Sequence, residues 1–294
     1  MKKMQYLCRQ IAKYTDEKMK EYVVNRCTVT PVRQEPSEGS EQLTQLLFGE
    51  VCEVLERLPR WTKVRSTVDG QEGWVDFKML ETTNTPYPTA NIQTIVAVPM
   101  AVATDMETGE ELMLTLGTRL PNYAHGTFEV LNKKYLINPM QAIEHPTTQL
   151  SSGTPLRQEG DEVTGTDVCA VAQSLLNAPY LWGGKNAMGM DCSGFTQVVY
   201  SVFGVNLLRN AREQITQGTM VPSLAEAQAG DLAFFDHADR DPQATNISHV
   251  GILSNNKNII HCSGCVHVDD IDEMGIHLPD GELTHHLVQI RRYL

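Results

Sequence analysis

Over residues 4–24 the apolar side chains Leu7, Ile11, Tyr14 and Met19 recur among many charges, which predicts one amphipathic helix. From Val24 to Glu81 the pattern shortens to alternating runs: Cys27-Thr28-Val29-Thr30, Val51-Cys52-Glu53-Val54-Leu55, Thr62-Lys63-Val64-Arg65 and Gly73-Trp74-Val75, broken by turn residues such as Asp69-Gly70. This predicts a small β-barrel with Trp61 and Trp74 as large aromatics for its core. After a polar, proline-bearing connector at 82–88, residues 94–150 read as a degraded second copy. In it Leu46-Leu47-Phe48-Gly49 and Trp61-Thr62-Lys63-Val64 are echoed by Leu114-Thr115-Leu116-Gly117 and Phe128-Glu129-Val130. A second linker spans 145–155.

Beyond that linker the period lengthens again. Val168, Val171, Ala172, Leu175 and Leu176 predict a helix capped by Thr166 or Asp167 and ending near Asn177. The turn Tyr180-Leu181-Trp182-Gly183-Gly184 leads to Asp191-Cys192-Ser193-Gly194-Phe195, after which Phe195, Val198, Val199 and Val202 define another helix. Cys192 therefore sits at a helix N-terminus, where unpaired backbone N–H groups favour a thiolate and can lower a thiol pKa of about 8.5 by several units. Strands are predicted at Gly230-Asp231-Leu232-Ala233-Phe234-Phe235, Ser248-His249-Val250-Gly251-Ile252-Leu253 and Lys257-Asn258-Ile259-Ile260-His261. A hairpin centred on Asn255 sets His249 and His261 opposite each other on one face; a two-residue Asn255-Asn256 turn sets them on opposite faces. Paired imidazoles beside a thiol can divide the work, one moving the thiol proton and the other fixing its tautomer.

Composition narrows these readings. A chain of 294 residues, 41% hydrophobic and 20% charged, is long enough for two or three soluble domains, and no apolar run approaches the length of a membrane helix. A formal charge of −12 argues against nucleic acid as a partner. The seven cysteines are odd in number and scattered, which predicts reduced thiols. Arg9, Gln10 and Lys13 interrupt any apolar leader, so a cytoplasmic protein is expected, the alternative being an exported one with its leader trimmed.

The pattern Leu47-Phe48-Gly49-Glu50, Trp61, Asp69-Gly70 and Gly73-Trp74-Val75 resembles the bacterial SH3-like domains attached to cell-wall enzymes. Asp191 to Phe195, Gly230-Asp231-Leu232, Ser248 to Ile252 and His261-Cys262-Ser263-Gly264 together resemble the NlpC/P60 cysteine peptidase family. The resemblance implies an α+β fold: a papain-like domain at 155–294, preceded by a helix at 1–24 and two SH3-like barrels at 25–85 and 90–150. It implies Cys192 as nucleophile, His249 as base and His261 as the orienting residue. The two-barrel architecture is similar to that of γ-D-glutamyl-L-diamino acid endopeptidases, which cleave murein stem peptides after L-Ala-γ-D-Glu. That similarity implies Tyr180, Asp191 and Ser193 as substrate-binding residues, with Asp191 meeting the free amine of an N-terminal L-Ala, and no cofactor. Two positions depart from the family: Ala211 stands where a serine is common, and Gln71 where a tyrosine is. Other classes consistent with the sequence are an amidase or acyltransferase on the same fold, and a non-catalytic wall-binding protein.

Several other polar groups carry blander expectations. Cys262 and Cys265 form a C-x-x-C pair beside His261, but a structural zinc site needs about four ligands, so they are expected as small packed side chains. His237, His267, His277, His285 and His286 are expected as surface or hydrogen-bonded imidazoles, and Glu35, Glu38 and Glu41 as a solvated loop from which one member could reach a substrate ammonium.

Overall fold

In the computed structural model, residues 20–87, 89, 92, 94–144, 163–237 and 246–294 are described. The helix expected over 4–24 and the linker at 145–155 lie largely outside them. What is described of the former helix is different: Tyr22–Asn25 is strand β1, and its Val23 and Val24 are buried. The first β unit therefore begins before residue 25, because these β-branched residues pair with strands on both sides rather than continuing a helix.

That unit continues through β2 (Val29–Arg33), β3 (Gln42–Leu47), β4 (Val51–Arg57), β5 (Trp61–Ser66), β6 (Glu72–Asp76) and β7 (Leu80–Thr83), in the spatial order β3-β2-β6-β5-β4-β1-β7. Val23, Val32, Leu46, Cys52, Val64 and Val75 form its core. Trp61 is buried there as expected, but Trp74 is only half-buried.

The second β unit comprises β8 (Thr94–Val96), β9 (Met100–Asp105), β10 (Glu111–Thr115), β11 (Thr127–Val130), β12 (Lys133–Ile137) and β13 (Ala142–Glu144). Its pairings repeat those of the first unit: β9 with β10 as β2 with β3, β9 with β12 as β2 with β6, β11 with β12 as β5 with β6, and β8 with β13 as β1 with β7. Both units also carry, just before their last strand, a 3-10 turn capped by a short polar side chain, Asp76 before Phe77–Met79 and Asn138 before Pro139–Gln141. Only β4 has no counterpart among the described residues.

In the third unit, helix α1 (Gly165–Gln173) starts two or three residues earlier than expected. Thr164 is its cap, and Asp167, instead of capping, returns from the first turn to take the Thr164 N–H at 2.8 Å. The short hairpin β14 (Lys185–Asn186) and β15 (Gly189–Met190) precedes α2 (Cys192–Ser201) and α3 (Ala211–Gln214). The remaining strands are β16 (Thr219–Val221), β17 (Leu232–His237), β18 (His249–Leu253), β19 (Asn258–Ser263), β20 (Cys265–Ile271), β21 (Gly275–His277) and β22 (Leu283–Arg292). They form an antiparallel sheet in the order β16-β22-β17-β18-β19-β20-β21, and β21 returns to pair with β22.

Alternation along β17 sorts the core into two layers. Leu232 and Phe234 join Val168, Phe195 and Val199 of the helices, whereas Ala233 and Phe235 join Ile259, Ile271 and Ile276 on the other face. Strand thus outweighs helix in this unit, more than the expected papain-like α+β description suggested.

Polar contacts seat β3 of the first unit against the turn before α2. Gln45 Oε1 accepts from the Lys185 backbone at 2.9 Å and from Asn186 Nδ2 at 2.7 Å, and Lys185 Nζ meets Glu50 at 3.0 Å with both side chains buried. Gly183 lies at φ +72°, where a Cβ would come within 2.3 Å of the Gln42 carbonyl, so glycine permits this approach.

Candidate active site

Asp191 caps α2 by accepting the Gly194 N–H at 2.7 Å, and this places Cys192 at the first helical position. The same carboxylate accepts the Gly183 N–H at 2.9 Å and both guanidinium nitrogens of buried Arg209, at 3.0 and 2.7 Å. Burial works against charge on Arg209, and Asp191 more than offsets it, holding the guanidinium charged. Asp191 is thus ion-paired within the protein while it also lines the cleft. Arg209 carries no local signal for this pairing, because its partner lies in another turn of the chain. It also donates to Ser193 Oγ at 3.0 Å, so Ser193 belongs to the same network.

The Cys192 thiol is pushed up to about 12, first by burial and then by the Asp191 carboxylate. The N–H groups of Val250 and Ser193 and the Arg209 charge only partly compensate. The expected lowering by the helix start is therefore outweighed by desolvation, and the free thiol is neutral. Nucleophilic attack then needs a base to take its proton as the new bond forms.

His249, the residue before Val250, opens β18 and is buried. Gly251 faces His261 across β18 and β19, so the hairpin is centred on Asn256, one residue beyond the Asn255-centred alternative. A shift of the centre by one whole residue moves the partner by two, which keeps both histidines on one face but makes them diagonal neighbours. His249 Nε2 lies 2.8 Å from His261 Nδ1, with the rings at 83°.

Behind them stands a group that the sequence reading missed. His261 Nε2 lies 3.0 Å from Asp269 Oδ2 on β20. The His261 hydrogen bond holds the Asp269 carboxyl below its ordinary range, while burial pushes His261 down and keeps it neutral. An ionised carboxylate only accepts, so His261 carries its proton on Nε2 and presents a bare Nδ1. His249 must then donate from Nε2, leaving its Nδ1 unprotonated. The available signal was His267-x-Asp269, two residues of one strand face directly after the Ser263-Gly264 turn.

His267 and His285, expected as surface or hydrogen-bonded imidazoles, belong to this cluster, His267 as a hydrogen-bonded one. His285 lies 4.4 Å from the His249 ring between centroids, and His267 Nε2 lies 3.1 Å from Asp269 Oδ2. Of the other expectations, His277 pairs with Asp272, Glu41 accepts from Trp182 Nε1 at 2.8 Å, and the His237 side chain is outside the description. Cys262 is buried with its thiol directed at the Met190 carbonyl, and Cys265 is half-buried.

A cleft of about 600 Å³ opens over Cys192. Tyr180, Asp191 and Ser193 line it together with Trp182, as do Glu41 and Gln71 from the first β unit and Ala211 and Arg212 from α3. Tyr180 is partly exposed, and burial pushes its phenol up, so it is a neutral wall. The two departures from the family, Gln71 and Ala211, therefore do fall on the cleft wall.

Comparison with known proteins agrees with this geometry. The NlpC/P60 family matches residues 177–287 and the bacterial SH3 domain residues 28–81. Two curated relatives, each named gamma-D-glutamyl-L-lysine dipeptidyl-peptidase, are 28% identical: one from Bacillus cereus (strain ATCC 10987 / NRS 248) over 74% of this chain and 66% of its own length, one from Bacillus subtilis (strain 168) over 74% and 71%. The chain thus spans about two thirds of the length of these relatives. A crystal structure of an NlpC/P60 family protein from Bacillus cereus superposes with a TM-score of 0.73 at 21% identity, covering 93% of this chain and 99% of that one, and so shares the fold. The NlpC/P60 match takes in Cys192, His249, His261 and Asp269, and residues 177–287 are an NlpC/P60 cysteine peptidase domain, set behind a bacterial SH3 domain.

Proposed function

We propose that the protein hydrolyses the γ-D-glutamyl-L-diamino acid bond of murein stem peptides whose N-terminal L-Ala is free. The Cys192 sulfur attacks the γ-carbonyl while its proton passes to His249 Nδ1. Collapse of the tetrahedral intermediate breaks the C–N bond, and His249 returns the proton to the departing amine of the diamino acid. Water, deprotonated by His249, then cleaves the thioester, releasing L-Ala-γ-D-Glu and restoring the thiol.

The observation that supports the free amine is the placement of Glu41. Asp191 is matched by Arg209, whereas Glu41, on the wall contributed by the first β unit, accepts from the neutral indole N–H of Trp182 and faces the cleft where an incoming ammonium would stand. That wall also limits how far a substrate can extend beyond its N-terminus. Supporting the same architecture, the repeated pairings and 3-10 turns argue that residues 94–144 are a diverged second SH3-like barrel, and helices α1 and α2 packed on one face of the antiparallel sheet argue that the domain behind it is papain-like.

The test is kcat/KM for one L-Ala-γ-D-Glu-diamino acid peptide with its amine free and acetylated. Acetylation removes the charge and adds bulk against the wall, so a loss of at least about tenfold is expected. A ratio near unity would overturn the free-amine reading.

A further inference from the structure

The substrate cleft does not account for the far side of the histidine pair. His261 and His267 face each other directly across β19 and β20, and Asp269 lies two residues beyond His267 on the same face. Their donor atoms all lie within 4.8 Å of one another, with both Nε2 atoms about one hydrogen bond from the same oxygen, at 3.0 and 3.1 Å. Ligands of a tetrahedral zinc ion at about 2.0–2.2 Å stand roughly 3.3 Å apart, so the set needs little rearrangement to close on a cation. His267 Nδ1 donates to the Cys265 carbonyl at 2.8 Å, and its Nε2 is turned toward Asp269. A backbone carbonyl on the remote nitrogen is how metal-binding imidazoles are oriented. Neither His267 nor Asp269 lines the substrate cleft. The side chain of His267 is 33% exposed against 1% for His261, so one side of the cluster is open to solvent and to a fourth, water ligand.

We propose that His261, His267 and Asp269 form a site for a divalent transition-metal ion of the zinc class, and that its occupation switches the peptidase off. Two imidazoles and one carboxylate select such an ion over magnesium or calcium, which prefer oxygen. The consequence for catalysis follows from the tautomers. A metal on His261 Nε2 takes the lone pair of that nitrogen, so the single proton of the neutral ring moves to Nδ1 and is donated to His249 Nε2. His249 in turn holds its own proton on Nδ1, the position that must be empty to receive the thiol proton. Within the His261–His249 pair no proton is gained or lost, and the base is disabled without the ion touching Cys192. Inhibition is accordingly not relieved by raising substrate.

The binding test does not depend on the proposed substrate. Zinc is titrated calorimetrically into Cys192→Ala, which removes the thiol as a rival ligand, and into Cys192→Ala carrying His267→Gln or Asp269→Asn, each checked for folding by circular dichroism. Binding near one equivalent in Cys192→Ala, weakened at least about tenfold by either second change, is expected. Absence of binding in Cys192→Ala, or equal binding in folded His267→Gln, overturns the site. The full-length native protein loaded with Co²⁺ supplies a second readout: a spectrum lacking thiolate-to-metal charge transfer is expected, and a thiolate band would place the metal on Cys192 instead. With cleavage of the tripeptide as readout, zinc is expected to lower kcat with little change in KM, and purely competitive inhibition would overturn the switch.

Discussion

At Cys192 two opposing effects act on one atom, and their order decides the chemistry. The helix start and the nearby N–H groups favour the anion, but full burial and the Asp191 carboxylate favour the neutral thiol, and the latter dominate. A group raised in this way is neutral below its pKa and becomes nucleophilic only as pH approaches it. In His249→Ala, alkylation by iodoacetamide should therefore be slow at pH 7 and still rising above pH 10, with no plateau near the ordinary thiol value of about 8.5. A plateau at or below pH 9 would contradict the burial argument. The place of Cys192 at a helix start and the pairing of His249 with His261 were legible in the sequence because each sits in a contiguous string of recognisable residues. The direction of the Cys192 shift was not, since burial depends on Arg209 and on strands more than fifty residues away. Asp269 was legible only to a reader who extended the hairpin by one more strand.

Elements place these residues through close backbone approach. Gly183, in a left-handed conformation against the Gln42 carbonyl, lets the turn before α2 seat on the edge strand β3. Gly194 is tied to the Gly184 carbonyl in the same manner, since a Cβ there would stand 2.1 Å from that oxygen. Gly183→Ala meets both a strained backbone and a steric overlap, and should cost about 2 kcal/mol or more in urea unfolding while raising KM. Unchanged stability would show that the turn relaxes freely. Short periodic runs revealed the strands, the helices and the paired histidine face, but not the register, which is set by how Ser254 to Lys257 turn, nor the start of the first β unit. Tyr22 to Val24 carry no turn signal separating them from the charged segment before, so the helical spacing ran on into a strand.

At the scale of the whole molecule, the first β unit completes the cleft, and it is held by a buried ion pair, Lys185 with Glu50. Such a pair is a weak source of net stability, but removal of one partner leaves a buried charge uncompensated. Lys185→Met should therefore destabilise by about 3–5 kcal/mol, and Lys185→Met with Glu50→Leu should recover most of the loss. A double variant no more stable than the single one would show that the pair is not what joins the units. The order of the units was legible from changes in hydrophobic period. Their mutual seating was not, because Gln45, Glu50 and Asp69 find their partners more than a hundred residues later, with nothing local to mark them. The central claim is a thiol centre that cuts on the γ-carboxyl side of D-Glu. It is tested most directly by mass spectrometry of the products from L-Ala-γ-D-Glu-diamino acid peptide incubated with the native protein and with Cys192→Ala. The account predicts L-Ala-γ-D-Glu and the free diamino acid from the native protein alone; release of free L-Ala, or the same products from Cys192→Ala, would contradict it.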